Sequence, residues 1–66
     1  MEHWSYCARL DEWYYSPGGG IVATLFPIMK DWWWLMNGST LMKGPFPGIE
    51  QGKADVERWW RTCSGS

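Results

Sequence analysis

The stretch Asp31-Trp32-Trp33-Trp34-Leu35-Met36-Asn37-Gly38-Ser39-Thr40-Leu41-Met42-Lys43 decides the fold. Asn-Gly between two apolar runs is the strongest short-range hairpin signal, because both central residues of a type I′ turn take φ > 0. A two-residue loop at Asn37-Gly38 sets Met36 opposite Ser39, Leu35 opposite Thr40, Trp34 opposite Leu41 and Trp33 opposite Met42. Side chains alternate across a strand. Trp33, Leu35, Thr40 and Met42 therefore share one face, and Trp32, Trp34, Met36, Leu41 and Lys43 the other. Neither face reads as solvent. A single helix covers only one of them, so the other wants more of this chain, a second copy or a partner.

Upstream, Ile21-Val22-Ala23-Thr24-Leu25-Phe26 is apolar and rich in β-branched residues, the composition of a strand. Pro27 is expected to close it, since proline cannot donate to a ladder, and Ile28 to Asp31 carry the chain round into the hairpin. Ser16-Pro17-Gly18-Gly19-Gly20 reads as a flexible turn. A phosphate cradle would need a helix after the glycines, and a strand follows instead. Trp4 to Asp11 alternates apolar with mostly polar residues, so Trp4, Tyr6, Ala8 and Leu10 face inward on a strand. Tyr6, Leu10, Trp13 and Tyr14 fit a helical spacing almost as well, and the two readings stand side by side.

Downstream, two prolines hold Gly44-Pro45-Phe46-Pro47-Gly48 extended, with Phe46 free to plug an apolar gap. The segment lacks P-x-x-P spacing and reads as a crossover rather than a ligand for a proline-reading groove. A helix follows. Gly48 serves as N-cap, Gln51 stands where its amide reaches back to the cap, and Ile49, Val56, Trp60 and Cys63 form one stripe with Gly52 and Trp59 at its margins. Glu57 and Arg61 stand in the favourable i,i+4 order. Gly52 costs about 1 kcal/mol against alanine in a helix interior, which points to close approach of helix and sheet. Ser64-Gly65-Ser66 reads as a tail. The expected architecture is α+β: a single small domain with an antiparallel meander of three or four strands (about 4–10, 21–26, 32–36 and 39–43). One C-terminal helix (about 49–62) packs on one face.

Sixty-six residues leave room for one core, and a chain this short buries only about 60% of its extended surface. Seven tryptophans make up part of the deficit. The formal net charge of −1 and the lack of a Lys/Arg run argue against nucleic acid as a partner. The first residues lack the basic flank and apolar run of a signal peptide, and Ile21 to Met29 is interrupted by Thr24 and Pro27, so no membrane span is expected. The default expectation is a soluble cytoplasmic protein. Cys7 and Cys63 are too few for a disulfide framework, and a single bridge between them stays open. His3 with Cys7 and Cys63 falls short of the four ligands zinc wants, so no metal or other cofactor is expected. Asp11 and Glu12, adjacent on a strand, point to opposite faces and form no acid/base pair. No serine or cysteine stands in a strained elbow beside a histidine. The chain is read as a non-enzyme.

What remains is the aromatic surplus. Trp33, Trp60 and Trp4 are assigned to the core, while Trp32, Trp34, Met36 and Leu41 form a candidate apolar platform. Trp13, Tyr14 and Tyr15 form a second aromatic group. The expected function is a small binding protein that occludes a cellular or host protein through this surface, by analogy of size a virus- or mobile-element-encoded inhibitor acting in the host cytoplasm. The alternative is stacking of a nucleotide-like or other planar ligand, with Arg9, Lys43 or Arg61 meeting a phosphate. A single-stranded nucleic-acid platform is the second alternative. A two-fold homodimer through the Trp32/Trp34 patch completes the expectation.

Overall fold

The computed structural model describes residues 3–64. The chain forms β1 (Trp4–Cys7), β2 (Glu12–Tyr15), β3 (Ala23–Ile28), β4 (Asp31–Met36), β5 (Met42–Phe46) and α1 (Ile49–Ser64). The strands pair antiparallel in chain order, a five-stranded meander, and α1 lies across one face against β3, β4 and β5. The expected α+β architecture is present, with more strands than the three or four anticipated. The strand expected over 4–10 ends at Cys7, and the extra strand lies beyond that range. The chain turns after Cys7, with Asp11 at φ 54°, and Glu12–Tyr15 returns as β2, Trp4 opposite Tyr15 and Cys7 opposite Glu12.

Pro27 does not end β3; it pairs with Trp32, and the strand runs to Ile28 opposite Asp31. Val22 O accepts from Asn37 N–H while Val22 N–H donates to Tyr15 O, so within β3 Thr24, Phe26 and Ile28 turn their backbone groups toward β4. Pro27 falls on the other alternation, facing β2. The β2 pairing stops at Trp13–Leu25, so its missing N–H breaks no ladder bond.

The Asn37-Gly38 turn forms, with Ser39 N–H donating to Met36 O at 2.9 Å. Only Gly38 takes positive φ (87°), the sign pattern of a type II turn, which does not match the twist of a tight hairpin. Pairing therefore resumes only at Met42, with Leu35 opposite Met42 and Trp34 opposite Lys43, two residues beyond the expected register. A shift of two preserves faces, so the division into a Trp33/Leu35/Met42 face and a Trp32/Trp34/Lys43 face stands.

Which face the helix covers is the reverse of the expectation. Trp34 is fully buried with Tyr15, Ala23, Leu25 and Val56, and Trp4, Trp13, Trp32, Phe46, Ile49, Trp59 and Trp60 pack around them. The hairpin alone leaves the choice open; the neighbouring strands decide it. On Trp34's face the register brings Leu25, Trp13 and Tyr6 into one row and Ala23, Tyr15 and Trp4 into the next. The other face mixes Phe26, Trp33 and Leu35 with Ser5, Glu12, Thr24 and Asp31. The helix takes the more apolar side.

Two indoles tie the layers together. Trp34 Nε1 donates to Asp55 Oδ2 at 3.0 Å, and Trp4 Nε1 to Glu57 Oε2 at 2.9 Å. Glu57, expected to pair with Arg61, is used in this way, and the ion pair among the described residues joins Arg58 to Asp55. Gly52 lies under the sheet, where an added Cβ would meet Leu25 Cδ1 at 2.7 Å. At the N-terminus the Gln51 side chain folds back over Gly48, the direction expected of it. The expected tail falls at 65–66, outside the described residues, with Ser64 still in α1.

Candidate functional site

The face of the sheet opposite α1 is built in rows by the strand register. Cys7, Glu12, Phe26 and Trp33 form one row; Ser5, Tyr14, Thr24, Leu35 and Met42 form the next; Ile28 and Asp31 stand beyond the first. Phe26, Trp33, Leu35 and Tyr14 are half-buried, while Met42 is 46% exposed. None of these belongs to the cluster packed under the helix.

The Trp33 ring lies close against Gly44 of β5. Gly44 takes φ 149°, and an added Cβ there would come within 3.0 Å of the Trp33 ring and of Trp32 O. Glycine thus leaves room for the indole to lie across β5. Beside it, Tyr14 hydroxyl donates to Glu12 Oε1 at 2.8 Å. That hydrogen bond, then desolvation and the carboxylate's charge, push the phenol up to about 12. Tyr14 therefore remains a neutral donor across the physiological range.

The residues proposed from sequence scatter. Trp34 and Tyr15 are core residues, because their rows meet the helix, and neither can present a surface. Trp32 is half-buried on the same side, packed against the core. Trp13 lies under Lys53, whose ammonium sits 3.7 Å from its ring and 5.5 Å from that of Trp4. Tyr14 alone of the Trp13-Tyr14-Tyr15 group reaches the open face, since its neighbours have opposite parity. Met36 is partly exposed at the end of β4, and Leu41, 77% exposed, lies in the loop before β5 rather than on a sheet face. Arg9 stands in the β1–β2 turn, Lys43 reaches over the Trp34 ring at 6.0 Å, and Arg61 is exposed near the end of α1. No single site gathers them. Phe26, Trp33, Leu35 and Met42 take the platform's place. The alternation of β4 had grouped Trp33, Leu35 and Met42, and Phe26 joins them only through the β3–β4 register.

A shallow groove of about 310 Å³ lies at the far end of α1, lined by Ile21, Val22, Met36, Asn37, Trp59 and Trp60. Asn37 is anchored there by Nδ2 donating to Ile21 O at 3.0 Å.

Cys7, half-buried on the open face, and Cys63, exposed on α1, are free thiols. Among the described residues no group of three or more His, Cys, Asp or Glu side chains is placed to hold a metal ion. No described helix is long and apolar enough to cross a membrane. Comparison with protein-family models, curated proteins and solved structures gives no match.

Proposed function

We propose that this is a non-enzymatic binding protein that occludes a partner protein by docking it on the open sheet face around Trp33. The observation that carries the reading is the row arrangement: Phe26, Trp33, Leu35 and Met42 stand together on a face over which no described element packs. Contiguous apolar surface rimmed by polar residues marks interaction sites, and a rigid Trp is a common anchor. The inhibitor role, and the host or mobile-element setting, extend this by analogy of size. The self-association expected from sequence would have to use the same face, because the Trp32/Trp34 side lies under α1. Partner binding and a two-fold dimer are thus in competition.

The test is capture from host lysate by wild type and by a Trp33→Ala/Phe26→Ala variant. A partner retained by wild type and lost by the folded variant is expected. Identical capture by both refutes the assignment of the face.

A second reading, stacking of a planar ligand, is favoured by the Trp59/Trp60 groove, whose volume lies at the lower end of small-molecule sites. Titration with planar ligands, nucleotides included, should then quench tryptophan fluorescence saturably, with the effect lost in Trp60→Ala. A flat response removes this reading.

A further inference from the structure

We infer that the occupant of the open face is a basic, partly apolar segment of the partner protein; this rests on the docking role proposed above and names the chemistry of what docks. The argument is the distribution of charge between the two sides of the sheet. On the strands, the charged residues with open-face parity are Glu12 and Asp31, both acids and both half-buried. Lys43 has Trp34's parity, Lys53, Arg58 and Arg61 belong to the helix, and Arg9 and Lys30 stand in turns. Neither acid forms an ion pair among the described residues, where the one pair is Arg58–Asp55. Glu12 uses Oε1 to accept from Tyr14, which leaves Oε2 for an incoming donor.

From the register, Glu12 and Asp31 are two strands and one row apart, roughly 12 Å on ordinary sheet spacings. Two basic residues four apart on an extended segment span about 13 Å and match that separation. Phe26 stands on β3 between the acids and Trp33 beside Asp31 on β4 with its ring toward β5, and aromatic faces also attract cations. A second copy on this face would offer Glu12 and Asp31 only the same two acids among its open-face strand residues, and so no complementary charge. Anionic lipid and nucleic-acid phosphates are repelled by the two acids. A protein segment alternating Lys or Arg with apolar residues satisfies both the rim and the apolar centre.

The experiment uses the full chain and two fluorescent synthetic peptides that alternate leucine and tyrosine with lysines four residues apart, or with glutamates in their place. Anisotropy titrations at low salt are expected to show the lysine peptide binding about tenfold more tightly than its twin, with the gap closing near 0.5 M salt. Glu12→Lys/Asp31→Lys should invert the preference, and Trp33→Ser should abolish binding of both peptides. Far-UV spectra verify that each variant is folded. Equal affinities that both vanish in Trp33→Ser overturn the charge inference and leave the docking face standing. Binding indifferent to Trp33→Ser overturns the docking face itself. A dimer by light scattering that Trp33→Ser dissociates makes a second copy the occupant and overturns the inference. Failure of both peptides to bind overturns it too, and lysate capture then judges the docking face separately.

Discussion

Replacing Gly52 with alanine sets two effects of similar size against each other, and the structure decides the sign. Alanine gains about 1 kcal/mol over glycine in a helix interior. At this position the added Cβ would lie 2.7 Å from Leu25 Cδ1, 3.4 Å from Cδ2 and 3.6 Å from Cγ. Leu25 is fully buried and Trp34 stands beside it in the same row, so its methyls cannot swing into solvent. Overpacking of such a core costs about 1–3 kcal/mol, which exceeds the propensity gain. Gly52→Ala is therefore expected to destabilise by about 1 kcal/mol, read from urea unfolding followed by circular dichroism. In a Leu25→Val background the nearest methyl carbons are gone, and the same substitution should become stabilising. The double-mutant cycle should yield a coupling of at least about 1 kcal/mol. If Gly52→Ala stabilises the wild-type chain by its full propensity gain, helix and sheet do not approach at Gly52, and the packing of α1 on β3 is wrong.

Other expectations follow from the ties between layers and from the open face. Asp55→Ala removes the acceptor of the buried Trp34 indole and should cost about 1–3 kcal/mol, while Asp55→Asn keeps an acceptor and should cost less; equal stability of the two would refute the bond. Tyr14 should ionise near pH 12, above its ordinary value of 10.0, and Glu12→Gln should bring it down, as ultraviolet absorbance at high pH will record. Because the folded pKa lies above the unfolded one, Tyr14's contribution to stability is complete below pH 10.0 and is lost as pH rises toward 12, and a Tyr14→Phe variant should lack that dependence. A labelled single-stranded oligonucleotide should not be retained at physiological salt, given the net charge of −1; tight, salt-sensitive retention would contradict this.

Much of the fold was legible because it rests on local chemistry. Strand alternation, the Asn37-Gly38 turn and the capped helix after Gly48 all read directly from neighbours in sequence. The β1–β2 turn was not legible, because Ala8 and Leu10 continue the apolar alternation through a segment that bends at Asp11. The choice of covered face was not legible from the hairpin either. Both faces of β4 carry tryptophan, and only the register of β2 and β3 beside it makes Trp34's side the more apolar one. The candidate site inherited that inversion. Trp34 moved into the core, and Trp33, assigned to the core from sequence, became the centre of the open face. The indole-to-carboxylate bonds of Trp4 and Trp34 join residues 53 and 21 positions apart and have no local signature.

The most direct test of the open face compares equilibrium unfolding of Trp33→Lys and Trp34→Lys, followed by far-UV circular dichroism. Trp34 is wholly enclosed, so a lysine there removes the largest core side chain and brings an ammonium into an apolar core beside Asp55. That loss, typically about 3–5 kcal/mol for truncating a buried aromatic alone, is comparable to the whole stability of a domain this size. The account predicts a cooperative unfolding transition for Trp33→Lys and none for Trp34→Lys. A folded Trp34→Lys beside an unfolded Trp33→Lys would mean that α1 covers the Trp33 face and would contradict the account at its centre.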